Sequence, residues 1–188
     1  MRVGLLGGTF NPIHNGHLIL AEQAREALDL DRVLFIPTSL PPHKPTQSLL
    51  SGKDRLRLVR AAIKGNSAFA VSDIELKRGG ISYTLETVQA LHKRFPGWKL
   101  FLIIGQDMLA VRWRGWDEIM KICRLGVAVR PDAAIKIKPP AKPIPMPPIG
   151  ISSSEIRSRV AAGQSIRYLV PNAVEDLIRR RGWFKTQK

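Results

Sequence analysis

The sequence predicts an open, five-stranded parallel sheet of Rossmann-like α/β type, with helices on both faces and a helical C-terminal end. Three observations predict it. Short apolar runs that stop at glycine or proline recur from the N-terminus, as strands buried on both faces do. Stretches with apolar residues at helical spacing separate those runs. The alternation of the two requires right-handed crossovers, which place one parallel layer between two layers of helices.

Residues 2–6 and 32–36 read as the first two strands. Between them His17, Leu20, Ala21, Ala24 and Leu28 share one face of a helix. Leu56, Val59, Ala62 and Ile63 mark a second amphipathic helix, and Ser51 followed by Asp54 has capping-box spacing, which starts it near Ser51. Residues 69–74 form the third strand, 84–94 the third helix, 99–104 the fourth strand and 125–129 the fifth. The texture then changes. Six of the fourteen prolines fall between Pro139 and Pro148, with Lys136, Lys138 and Lys142 in or beside that run. This is a basic, extended connector over about residues 131–149, open to either a solvated loop or a binding role. Ser152 to Glu155 repeats the capping-box spacing, and Pro171 suits the first turn of a last helix reaching Arg181, so residues 152–183 are expected to be helical. No internal repeat or second domain is visible, and residues 1–188 read as one domain.

A chain of 188 residues can bury about 70% of its unfolded surface, enough to build a core without disulfides or a structural metal. At 44% hydrophobic and 24% charged residues it is neither disordered, collagen-like nor a disulfide scaffold. The single cysteine, Cys123, cannot bridge internally, which favours a reducing, cytoplasmic setting. No apolar stretch approaches the roughly 20 residues of a membrane span, and the N-terminus leaves no room for a signal-peptide core. Thirty Lys and Arg against fifteen Asp and Glu give a formal charge of +15, which invites polyphosphate partners. Between Glu155 and Lys188 eight basic and three acidic residues leave +5, without aromatics at an RNA-recognition spacing. A basic surface attracting anionic nucleotides fits better than a nucleic-acid-binding module, which a gel shift at physiological salt would expose.

The chemistry concentrates where the first strand meets the first helix, in Gly7-Gly8-Thr9-Phe10-Asn11-Pro12-Ile13-His14-Asn15-Gly16-His17. In an open parallel sheet ligands bind at such strand ends. The segment lacks the Lys-Ser/Thr ending of a P-loop, and its glycines do not fit the dinucleotide fingerprint. It offers small residues that admit backbone to a ligand, a helix N-terminus with free N–H groups, and two imidazoles flanking Gly16. These suit a phosphate chain; a turn-capping His14 and a core His17 are the alternative. A second segment, Ile151-Ser152-Ser153-Ser154-Glu155-Ile156-Arg157, places hydroxyls and amides at another helix start with Arg157 beyond them. Alone it would be an ordinary cap.

Together, the two segments resemble the nucleotidyltransferase superfamily marked by His-x-Gly-His and Ser-Ser-Thr/Ser-x-x-Arg motifs. The finer resemblance is to bacterial nicotinate mononucleotide adenylyltransferases, and it spans nearly the whole chain. It rests on the glycine segment, on Ile36-Pro37 leading to Pro41-Pro42-His43-Lys44, and on residues 73–85 with Tyr83-Thr84. Ile104-Gly105-Gln106-Asp107, Trp116 and Tyr168-Leu169-Val170-Pro171 complete it. Ser154 stands where that family often has Thr, keeping the hydroxyl. The Lys/Pro connector and basic C-terminus are larger departures and leave a possible homo-oligomer open. Phosphopantetheine adenylyltransferase shares the His-x-Gly-His core and is the runner-up; the Pro-Pro-His-Lys segment, Trp116 and the longer chain argue against it.

The resemblance implies attack of a mononucleotide phosphate oxygen on the α-phosphorus of ATP, releasing pyrophosphate. A phosphate monoester with a second pKa of about 6 is already largely dianionic at neutral pH, so no general base is needed. Mg²⁺ would accompany ATP, held mainly by phosphates rather than by protein ligands. His14, His17 and Arg157 are implied as the catalytic set, with His17 nearest the transferring phosphorus and favoured as a cation there. Gly7, Gly8, Thr9, Phe10, Lys44, Gly105, Ser152 and Ser153 are implied to bind ATP. For the nicotinate mononucleotide, Ser39, Thr84, Asp107, Trp116 and Arg130 are the implied contacts. An indole can stack on a pyridine ring, and a helix start near Thr84 presents N–H groups to a carboxylate. Packing of Trp116 on Trp113 and a loop-capping Asp107 are the alternatives.

Overall fold

The structure is a computed structural model and describes residues 1–41, 49–129 and 137–185. Lys44 and Arg130 lie outside the described residues, as do Pro42, His43 and the first part of the connector. The strands are β1 (Arg2–Gly8), β2 (Arg32–Pro37), β3 (Phe69–Val71), β4 (Lys99–Gly105), β5 (Cys123–Val129) and β6 (Lys142–Pro145). All neighbours pair in parallel, in the order β3-β2-β1-β4-β5-β6. That order winds outward from β1 in two directions, and the crevice at the reversal lies beyond the C-terminal ends of β1 and β4.

The helices are α1 (Asn15–Ala27), α2 (Gly52–Ile63), α3 (Ile74–Arg78), α4 (Thr84–Arg94), α5 (Trp116–Ile122), α6 (Ser153–Ala161) and α7 (Asn172–Arg181). Alternate strand residues feed two cores. On one face Leu6, Val33, Phe35, Phe101 and Ile103 pack against α1, α2, α6 and α7 through residues such as Ala24, Val59, Ile156 and Ile178. On the other Val3, Leu5, Leu34, Leu102 and Val127 pack against Val88 of α4 and Ile119 of α5. Each fully buried aliphatic side chain of this kind contributes roughly 1.5–3 kcal/mol.

Local capping set the helix starts where the sequence placed them. The Ser51 hydroxyl accepts the Asp54 N–H at 3.1 Å, and that of Ser152 accepts the Glu155 N–H at 3.1 Å. Two expectations need correction. The third strand stops at Val71, because the Ser72 hydroxyl accepts the Ile74 N–H at 3.3 Å and turns the chain into α3. Among the described residues the sheet has six strands rather than five, since part of the Pro-rich connector adds β6 along β5. Proline is tolerated on an edge strand because its missing donor faces away from the ladder. Ile144 anchors the strand, fully buried beside Gly126, where a Cβ would fall 2.9 Å from the Ile144 Cδ1 and 2.6 Å from the Leu28 Cδ1.

Candidate active site

The glycine segment crosses the C-terminal end of β1 into α1. A Cβ on Gly7 would meet nothing within 4 Å, so the backbone there is open to a ligand. A Cβ on Gly8 would come within 2.9 Å of the Phe10 ring. Phe10 adopts a φ of 48°, uncommon for a bulky residue, and is 2% exposed. Its ring supports the edge of His17 at 5.1 Å between centroids. Phe10 therefore reaches the site through its backbone and through His17, with its side chain in the core.

The two imidazoles lie together at the start of α1, 3.7 Å between ring centroids. His14 is the N-cap, and its backbone N–H donates to Nδ1 of His17 at 3.2 Å. An imidazole nitrogen that accepts cannot carry a proton, so His17 is held as the tautomer protonated on Nε2. A cation at His17, as the resemblance implies, would give up this bond at Nδ1. His14 is 7% exposed, its Nδ1 has no hydrogen-bond partner among the described residues, and burial pushes its pKa down to about 4. Gly16 keeps room for this pair, since a Cβ there would stand 3.1 Å from the His14 Nδ1.

The serine-rich helix start is tied directly to this turn. Arg157 Nη1 donates to the Asn11 carbonyl at 2.9 Å, and Nη2 to the Ser154 hydroxyl at 3.2 Å. The Ser153 hydroxyl donates to the Pro12 carbonyl at 2.8 Å. Residues more than 140 positions apart in the chain thus share one wall. Ser152 is exposed and caps α6. Asn15 adds a third tie that sequence reading missed: its Nδ2 donates to the Tyr168 carbonyl at 2.7 Å and its N–H to that of Leu169 at 2.9 Å.

Neighbouring strand ends bring the remaining residues. Thr9, Ser39 and Gly105 follow or end β1, β2 and β4, whose registers align Gly8 with Pro37 and Leu5 with Leu102. Asp107 is exposed and folds its carboxylate back over Gly105. Thr84 opens α4, where Tyr83 gives no side-chain cap, so the first-turn amides lack one. Gly115 packs against Leu85, which sets the start of α5, and hence Trp116, beside the start of α4. The indole packs on Trp113 at 5.6 Å, as one alternative had it, and also lines an apolar cavity of about 350 Å³ with Met120 and Leu125.

Sequence reading also missed Arg55. Its side chain is 1% exposed and spans three loops, with Nε donating to the Leu50 carbonyl at 3.0 Å, Nη1 to that of Thr9 at 2.8 Å and Nη2 to that of Ser39 at 3.1 Å. Burial lowers its pKa. In the sequence it is one more charge on an amphipathic helix, and no spacing rule distinguishes it.

No helix among the described residues is long and apolar enough to cross a membrane. Residues 5–159 match the family model described as Cytidylyltransferase-like. A protein of Shouchella clausii named "Probable nicotinate-nucleotide adenylyltransferase" is 45% identical over 97% of this chain and 96% of its own length. One of the same name from Exiguobacterium sibiricum is 44% identical over 99% of this chain and all of its own. Among solved structures, the nicotinic acid mononucleotide adenylyltransferase of Plasmodium falciparum complexed with NaAD superposes with a TM-score of 0.79. It covers 97% of each chain at 16% identity, a likeness of fold. With the two phosphate-type motifs joined at the β1 end of such a sheet, the chain belongs to the nicotinate-nucleotide adenylyltransferase family.

Proposed function

We propose that this chain transfers the adenylyl group of ATP to the phosphate of nicotinate mononucleotide, forming nicotinate adenine dinucleotide and pyrophosphate, in the cytoplasm. The observation that carries the assignment of the site is the pair of cross-links from Arg157 and Ser153 to the carbonyls of Asn11 and Pro12. They put a guanidinium, a serine-capped helix start and the two imidazoles around one strand end.

On this reading the protein positions and neutralises, and the acceptor phosphate attacks without a base. The Nε2–H of His17 donates to the transferring phosphoryl group, and His14 stands behind it. Arg157 and the Ser152 and Ser153 end of α6 take the outer phosphates. The open backbone at Gly7, with Gly8, Thr9, Phe10 and Gly105, borders the nucleotide, and Lys44 adds charge. Thr84, Trp116, Asp107, Ser39 and Arg130 hold the acceptor, its carboxylate on the uncapped amides of α4. No three His, Cys, Asp or Glu side chains among the described residues gather as metal ligands, and the groups assembled here are donors and cations. They fit Mg²⁺ carried in on the triphosphate, where it would offset charge on the leaving pyrophosphate.

The test is pyrophosphate release from ATP and Mg²⁺ with nicotinate mononucleotide, its amide analogue or phosphopantetheine as acceptor. The expected result is a kcat/KM for the acid about a hundredfold or more above that for the amide. Equal values would remove the carboxylate site, and turnover with phosphopantetheine alone would replace the assignment.

A further inference from the structure

Behind the acceptor residues the fold buries a carboxyl that the reaction does not use. Glu75, in α3, is 5% exposed. The Thr87 hydroxyl, on α4, donates to its Oε1 at 2.7 Å, while Oε2 has no partner within hydrogen-bond distance among the described residues. Ser82, also buried, accepts the Ser39 N–H on its hydroxyl oxygen at 2.8 Å, which leaves the hydroxyl proton to face the Glu75 carboxyl. The Ser82 N–H donates to the Leu40 carbonyl at 2.9 Å, and the Leu40 N–H to that of Gly80 at 3.2 Å.

Burial pushes the Glu75 carboxyl up. The Thr87 and Ser82 hydroxyls and the Arg78 guanidinium pull it back, and Glu86 opposes them. Arg78 in turn donates to the Thr87 hydroxyl at 3.1 Å and pairs with Glu86 at 3.2 Å. A leucine could pack α3 on α4 without burying an acid. What an apolar residue could not do is fix two hydroxyls on different elements at set distances. One of those hydroxyls belongs to the residue that holds Ser39; the other lies one turn into the helix that Thr84 opens.

We propose that Glu75 is a positioning residue for the acceptor mononucleotide, clamping the loop after β2 and the start of α4 so that Ser39 and the first-turn amides of Thr84 stay in register. It acts through these groups, without touching substrate. The inference rests on the acceptor reading above.

Glu75→Gln, Glu75→Leu and Thr87→Val, made in the full chain, test it with two readouts. Amide hydrogen exchange without substrate should rise by about tenfold at residues 39–40 and 82–88 in the Glu75 variants, with residues 14–18 and 153–157 within about twofold of wild type. The KM for nicotinate mononucleotide should rise about fivefold for Glu75→Gln and more for Glu75→Leu, with the KM for ATP within about twofold. Thr87→Val, which keeps shape and loses only the hydroxyl, should shift both readouts in the same direction. Unchanged exchange at the two walls, an unchanged acceptor KM, or parallel rises in both KM values would overturn the inference. A wild-type protein that turns over no nicotinate mononucleotide would instead overturn the acceptor reading, while the exchange result still decides whether Glu75 couples the walls.

Discussion

Replacing Arg55 with methionine removes a side chain that joins the ends of β1 and β2 to the start of α2. Methionine fills most of the same space, so what is lost is the guanidinium. Three carbonyls, those of Leu50, Thr9 and Ser39, lose their donor together. Bonds from a charged donor are worth about 1.5–3 kcal/mol each, which at the lower end of the range is roughly 5 kcal/mol for the three. Removing a cation that is 1% exposed gives some of that back, because no acidic group among the described residues offsets its desolvation. A net loss of about 3 kcal/mol remains, which for a chain of this length is a fall in Tm of roughly 6–12 °C. Arg55→Lys should fall nearly as far, since one ammonium cannot span three carbonyls in fixed directions. Thermal unfolding followed by circular dichroism measures both variants. A fall under about 2 °C for Arg55→Met, or full rescue by Lys, would refute the argument that Arg55 braces the loops.

His14 should make stability depend on acid. Its folded pKa, about 4, lies below the ordinary 6.5, so the native protein binds fewer protons than the unfolded chain between those values. Stability is complete above pH 6.5 and falls by up to about 3 kcal/mol as the pH drops through the window to about 4. Urea unfolding at pH 7 and pH 4.5 should show this slope in the wild type and a flatter one in His14→Asn; the same slope in both would contradict it. Because phosphate oxygens favour the protonated ring, ATP should bind with proton uptake at pH 5.5, which calorimetry in buffers of different ionisation enthalpy detects. His17→Ala should lower kcat by roughly a hundredfold or more with little change in fold, as should Arg157→Ala, and a near-normal kcat in either would remove that residue from the transfer step.

What could be read from the sequence was what local chemistry specifies. Ser51, Thr84 and Ser152 start helices as placed, because a cap or an apolar period acts within a turn. The two phosphate-type segments were legible as residue types, and the fold brought them together at Asn11 and Pro12. Lys-Pro-Ile-Pro gave no sign of a strand: β6 exists through pairing with β5 and through Ile144, and both are non-local. Arg55 and Glu75 were equally invisible. A buried charge looks like a surface one until the elements around it are placed, and their partners lie up to 46 residues away in the chain.

The structure of the protein with a non-hydrolysable ATP analogue tests the central claim most directly. The account predicts a triphosphate touching both the His14 to His17 turn and the Ser152 to Arg157 helix start, with the Nε2 of His17 on the α-phosphate. A triphosphate bound to one of these segments and remote from the other would contradict it.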